Sequence, residues 1–190
     1  PILPQHANDV RLNKKLFERT RAVHLHHRRL TQEEKKLLDD SYDSFVRSGA
    51  LLCDEDKERL RKLTEEVSIL SLQFSQNLLK ESKAFTLHIT DEQQLEGLPD
   101  TARDAAAQAA KERGQDGWIF TLDNPSYSPF MTYSTRRALR QQMYMAKNTE
   151  CIHDNTENNL DICKRIVNLR REIAQLLGFK SYADYVLKRR

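Results

Sequence analysis

The histidines at positions 24, 26 and 27 are the first residues along this chain whose type and spacing suggest chemistry. On a helix His24 and His27 lie one turn apart on one face, near the spacing of paired imidazole ligands to a metal ion. A structural zinc site needs two further ligands, and nothing adjacent supplies them. The expectation is therefore an exposed polar face between Arg21 and Arg29. A second set is Cys151, His153 and Asp154, with Cys163 further on. Its spacing fits no standard finger and reads as a mobile loop followed by a buried Cys163. Paired basic residues recur at Arg28-Arg29, Lys35-Lys36, Arg136-Arg137, Arg170-Arg171 and Arg189-Arg190. Adjacent residues diverge by about 100° on a helix, so each pair flanks a face instead of forming one. Interleaved acids (Glu33, Glu34, Asp39, Asp40, Glu172) cancel much of the field, and the expectation is solvated surface, not phosphate contact. Tyr127, Phe130 and Tyr133 gather aromatic surface around Pro125 and Pro129, where packing on a neighbouring helix is a commoner use than peptide capture.

No HExxH, GxGxxG, P-loop or GxSxG string occurs, and no Ser, Cys or His stands in a recognisable nucleophile context. No catalytic, cofactor-binding or metal-binding residue is assigned in this chain. At 190 residues it can form one substantial domain, and 31 Lys+Arg against 28 Asp+Glu leave a net charge of only +3. That margin argues for neither nucleic acid nor an anionic membrane as partner. No apolar run approaches the length of a membrane span. The first residues, Pro1-Ile2-Leu3-Pro4, have no signal-peptide pattern, and the start without Met suggests a mature or cut end. Three widely spaced cysteines (Cys53, Cys151, Cys163) point away from a disulfide framework and toward a reducing, cytoplasmic compartment.

Few breakers (5 Gly, 5 Pro) make long helices the default. Leu12, Leu16, Val23 and Leu30 recur at helical spacing. Thr31 and Glu34 form a capping box, after which Leu37, Leu38, Tyr42, Phe45 and Val46 are read as one buried stripe and Gly49 as the left-handed stop. Asp54 caps a helix to about Ser82 whose stripe is Leu60, Leu63, Val67, Leu70, Phe74 and Leu78. At 1.5 Å per residue it is on the order of 43 Å long, and so narrow a stripe must lie across several partners. The period then switches: Phe85, Leu87 and Ile89 alternate as a strand, and Trp118 to Leu122 reads as a second. Asp100 caps an Ala-rich helix between them (Ala102, Ala105, Ala106, Ala109, Ala110) that ends near Gly114. Asn124-Pro125-Ser126 reads as a turn and Phe130 to Tyr133 as a short third strand, which Pro129 makes an edge. Ser134 or Thr135 caps a helix through Met143, and 148–159 is a polar loop. A strongly amphipathic helix follows through Ile162, Ile166, Leu169 and Ile173 to Gly178, and Ser181 with Asp184 starts a last one. The predicted fold is mainly α: a bundle of long antiparallel helices with a small β-hairpin or sheet element at about 84–90 and 118–133. The predicted organisation is one segment, 1–190, with helices over 1–83, the β element with its Ala-rich helix over 84–134, and helices over 135–190 that stop inside the last one.

Several strings resemble a known family. They are LLDDSYDSFVRSGALL (Leu37 to Leu52), FSQNLLKES (Phe74 to Ser82), LEGLPD (Leu95 to Asp100), WIFTLDNPSYSPFMTYSTRRALR (Trp118 to Arg140) and IVNLRREIAQLLGFKSYADYVL (Ile166 to Leu187). In order and content they resemble the zinc metallopeptidases that include peptidyl-dipeptidase, oligopeptidase A and thimet oligopeptidase, with the PSYSPFMTYS form closest to the bacterial peptidyl-dipeptidases. The resemblance implies a mostly helical, two-lobed enzyme with a deep channel for short peptides. In that family zinc is held by the histidines of an HExxH helix and a later glutamate, and the motif's own glutamate polarises the attacking water. All of these residues fall downstream of the matching segment, so none is carried over to a position here. This chain is then expected to be scaffold and channel wall of a peptidyl-dipeptidase, inactive alone, with zinc bound beyond Arg190. Its partner would be the catalytic lobe of the same enzyme. An endo-acting oligopeptidase of the family, or a free-standing helical interaction module, are the alternatives.

Overall fold

The computed structural model describes residues 6, 9–10, 12–26 and 29–188. Among them the elements run α1 (Lys14–His26), α2 (Gln32–Arg47), α3 (Asp54–Ala84), β1 (Leu87–Ile89), a 3-10 turn (Glu92–Leu95), α4 (Asp100–Glu112), β2 (Trp118–Phe120), α5 (Asn124–Tyr133), α6 (Arg137–Asn148), α7 (Leu160–Leu176) and α8 (Tyr182–Leu187). None of these helices is long and apolar enough to cross a membrane. The chain divides into two compact units, residues 1–72 with 163–190, and residues 73–162.

In the first unit, local signals place the helix ends. The Thr31 hydroxyl accepts from the Glu34 amide at 3.2 Å while the Glu34 carboxylate accepts from the Thr31 amide at 2.8 Å, the reciprocal box the sequence announces. Those hydrogen bonds hold the Glu34 carboxyl below its ordinary pKa. Gly49, at φ +92°, donates to the Val46 carbonyl while Ala50 donates to Phe45, which closes α2 with the carbonyl pattern of a Schellman motif. Cys53, not Asp54, occupies the cap position of α3: its carbonyl accepts the Lys57 amide at 3.0 Å.

Which faces are buried differs from the periodicity reading. On α1 the buried ring is Phe17, while Leu16 is exposed and Val23 is 51% exposed. On α2 Leu37 is 69% exposed, and Leu38, Tyr42, Phe45 and Val46, expected as a buried stripe, are half-buried. Leu37 lies about 100° away from Leu38, off the 38-42-45 face. The rings decide: Phe17 stacks on Tyr42 with centroids 5.8 Å apart and meets Phe45 at 6.0 Å. Leu60 and Leu63 of α3 pack on Leu169 and Ile173 of α7 to form this unit's core, and Arg165 clamps Glu66 with bonds of 2.6 and 2.8 Å.

In the second unit β1 and β2 pair antiparallel, with Leu87 opposite Phe120 and Ile89 opposite Trp118. Leu87, Ile89, Leu95, Leu98, Phe120, Phe130 and Met143 form the core. The expected third strand is instead a helix, and the β element shrinks to the two short strands. Tyr127, Phe130 and Met131 sit at i, i+3 and i+4 and share one helical face against that core. Pro125 is tolerated near the helix start, where its amide would be an orphan in any case. Pro129 costs one ladder bond. Phe130, fully buried and tilted 4.7 Å from Phe120, offsets that loss. Pro99 and Arg136, not Asp100 and Ser134 or Thr135, hold the cap positions of α4 and α6, and Ser134 is buried beneath the start of α6. On the small-residue face Ala106 and Ala110 are buried. Ala102, Ala105 and Ala109 line an open groove of about 490 Å³ beside β2 and Pro125.

The L-E-G-L-P-D turn is built on close backbone approach. Gly97 has φ +87°, and a Cβ there would overlap the Tyr133 carbonyl oxygen. Arginines satisfy the turn's carbonyls: Arg103 donates to Leu98 and Leu95, and Arg136 donates to Gln93 at 2.7 Å while pairing with Glu96 at 3.3 Å. Gly97→Ala is therefore expected to lower stability in urea by at least about 2 kcal/mol, since backbone strain and a clash with unyielding backbone add. Gly114→Ala, where the added methyl meets nothing within 4 Å, should cost only the conformational part, about 1 kcal/mol.

Candidate functional site

The polar centre of the second unit lies at the C-terminal end of α3. Counting on from Leu60 in alternating steps of three and four gives Leu63, Val67, Leu70, Phe74, Asn77 and Glu81. The stripe thus stays on one face while its chemistry turns from apolar to polar, and Leu78, read above as its continuation, is 38% exposed. Asn77 and Asn159 are both buried. Asn77 Nδ2 donates to Asn159 Oδ1 at 2.9 Å, and Asn159 Nδ2 donates to the Phe74 carbonyl at 3.1 Å. The Asn159 amide donates to the Cys151 carbonyl at 2.7 Å, and the Cys151 amide donates to Glu81 Oε2. His153 Nε2 lies 3.4 Å from Glu81 Oε1. Both polar ends of the Cys151 backbone are therefore held, which sustains its left-handed φ of +60°. The 148–159 loop, expected to be mobile, is instead pinned to α3 at each of these points.

The two cysteines exchange roles relative to the sequence reading. Cys151 is 3% exposed and Cys163 is exposed on α7. A cysteine, a histidine and a glutamate in one cluster suggest nucleophilic catalysis by composition, but the environment works against it. Burial, then the Glu81 carboxylate, push the Cys151 thiol up to about 11, so the thiolate that would attack is suppressed at neutral pH. Glu81 already accepts the Cys151 amide, Asn77 donates to Asn159, and Asn159 donates to the Phe74 carbonyl. The arrangement anchors a loop.

The other candidate residues are scattered. His24 is no open surface residue: it stacks 4.2 Å from Tyr42 and lies 3.1 Å from Asp39. His26 is exposed, and His27 lies outside the described residues, as do Arg28, Arg189 and Arg190. Among the described residues no three His, Cys, Asp or Glu side chains converge in a way that could hold a metal ion. Lys36 pairs with Asp40 at 2.6 Å, as expected of a solvated i,i+4 pair. Phe130 packs in the core, as the packing reading expected, whereas Tyr133 is exposed. Asn77, Glu81 and Asn159 are the residues that sequence reasoning missed. The signal was present for the first two, since a strict heptad count from Leu60 lands on them.

Asn77→Ala should leave the Asn159 side-chain oxygen buried without its donor and cost about 1–3 kcal/mol in chemical denaturation. A double-mutant cycle with Asn159→Ala should return a coupling of comparable size. The thiol adds a pH signature. Its pKa is raised in the folded state, so the folded protein holds that proton more tightly than the unfolded chain. Stability from this group is complete below the ordinary thiol pKa and is lost as pH climbs from there toward about 11. A thiol reagent at pH 8 should label Cys53 and Cys163 quickly and reach Cys151 only on unfolding.

A model of Peptidase family M3 matches residues 130–190. Oligopeptidase A of Salmonella typhimurium is 35% identical over 189 residues, which cover 96% of this chain and 28% of that protein. Dipeptidyl carboxypeptidase of the same organism is 37% identical over 182 residues, covering 94% of this chain and 27% of that protein. A probable cytosolic oligopeptidase A of Arabidopsis thaliana is 36% identical over 162 residues, covering 82% and 23%. The chain thus spans little more than a quarter of the length of the bacterial relatives. Its residues 130–190 thus match peptidase family M3, and through nearly its whole length it is similar to oligopeptidase A and dipeptidyl carboxypeptidase.

Proposed function

We propose that this chain is a scaffold and channel-wall portion of a zinc-dependent peptidyl-dipeptidase, which hydrolyses short peptides and releases dipeptides from their C-termini. The observation that carries the reading is the extent of similarity: continuous over 94–96% of this chain, and confined to 27–28% of the two Salmonella relatives. The residues described here do not fit a zinc site, since no convergent ligand set exists among them. Zinc, when bound to such an enzyme, polarises the scissile carbonyl and the attacking water. The ligands and the water-activating glutamate would belong to the portion of the relatives' length that this chain does not span. This chain's own share is mechanical. Its seam along α3 holds the pinned loop, and that rigidity gives a substrate channel a fixed wall. By itself the chain is inactive, and its compartment is the cytoplasm, a reading that rests on its widely spaced free cysteines.

Purified residues 1–190 should bind no stoichiometric zinc and cleave no N-blocked peptide. A protein spanning the full length of the relatives should release successive C-terminal dipeptides from the same peptide and stop when a chelator is added. Chelator-sensitive cleavage by residues 1–190 alone would contradict the assignment. Internal cleavage by the longer protein would move it to an endo-acting oligopeptidase.

A further inference from the structure

The outer face of α3 carries a second stripe, which the described residues leave uncovered. Opposite the seam that runs from Leu60 to Glu81, steps of four and three pass through Glu65, Ile69, Leu72, Gln76, Leu79 and Lys83. Ile69 is 52% exposed, Leu72 60% and Leu79 55%, and the three polar members are exposed too. All six stand on one uninterrupted helix, so their common face follows from helical geometry alone. Among the described residues neither Glu65 nor Lys83 has an ion-pair partner, whereas Glu66, one position on, is held by Arg165. An exposed apolar side chain standing singly needs no explanation. Three large ones in heptad register, with an acid at one end and a base at the other, form the seam of a helix pair.

The order of residues along the stripe selects the second helix. Laid antiparallel on a copy of itself about a two-fold axis at position 74, it brings Glu65 opposite Lys83, Ile69 opposite Leu79 and Leu72 opposite Gln76. Each of these contacts then occurs twice. On the flanks Lys80 comes opposite Glu66 and Ser68 opposite Ser82, so no like charges face each other. A parallel pair would set Glu65 on Glu65 and Lys83 on Lys83. Gln76, the one polar residue among the inner positions, fixes the register at a cost in stability. We propose that the outer face of α3 is a self-association surface, on which two copies of this chain pair as an antiparallel coiled coil between Glu65 and Lys83. This pairing does not rest on the peptidase reading. The paired stretch is about 27 Å long at 1.5 Å per residue, short enough to make the contact a transient one.

Sedimentation equilibrium of residues 1–190 tests the pairing, in a reducing buffer that keeps the exposed Cys53 and Cys163 from cross-linking. Between about 0.02 and 0.5 mM at low salt, the average mass should climb from one chain toward two. Leu72→Glu, at an exposed position that folding does not need, should hold the protein monomeric throughout with an unchanged circular dichroism spectrum. Glu65→Lys and Lys83→Glu should each weaken association about five- to tenfold, and the two together should restore it to within about twofold. A mass that stays at one chain over the whole range would overturn the proposal and leave the stripe to the part of the longer relatives that this chain does not span. Association that Leu72→Glu leaves intact would overturn it as well, since the contact then lies elsewhere. So would a double charge reversal that associates no better than the single ones.

Discussion

A buried amide must be hydrogen-bonded, and that constraint, applied to Asn77 on the seam of α3, organises much of what surrounds it. Had the seam stayed apolar beyond Phe74, any greasy surface could have covered it. Asn77 instead demands a partner with a free acceptor at one place, and Asn159 supplies it. Asn159 in turn fixes the end of a loop whose other contacts fall on Glu81. The apolar half of the same helix face, Leu60 and Leu63, works by the less directional burial of Leu169 and Ile173. One helix thus uses shape at one end and hydrogen-bond specificity at the other.

The strings that carry the family resemblance hold residues with structural duties. FSQNLLKES contains Phe74, Asn77 and Glu81, and LEGLPD contains Gly97, whose missing Cβ lets the turn approach Tyr133. The NPSYSPFMTYS run is α5, with Phe130 at the centre of the second core. A resemblance built on such positions speaks for shared architecture, and it fits with relatives that extend well beyond this chain. Around Cys151, the Glu81 carboxylate and the Asn77 and Asn159 side chains are engaged in holding the loop.

Much of the fold was legible because its signals are local. The Thr31–Glu34 box, the Gly49 stop, the Ser181–Asp184 start and the alternation at Leu87–Ile89 each depend on residues within a few positions of one another. Reading failed where distant residues decide. The buried faces of α1 and α2 follow from which rings meet, and α5 tolerates Pro129 because Phe130 finds Phe120. The loop at 148–159 has no period of its own, and the partners that order it, Asn77 and Phe74, lie 82 and 85 positions from Asn159. Cys151 was misplaced for the same reason, since exposure of a loop cysteine depends on what the loop is tied to, whereas Cys163 lies on the solvent face of α7.

Native-state hydrogen exchange of the Cys151 and Asn159 amides, compared with the amides of α3 between Phe74 and Glu81, tests the anchor most directly. If the loop is held as described, both loop amides exchange as slowly as that stretch of helix and open together with it. Loop amides that exchange near the rate of a free peptide while the helix stays protected would contradict the account.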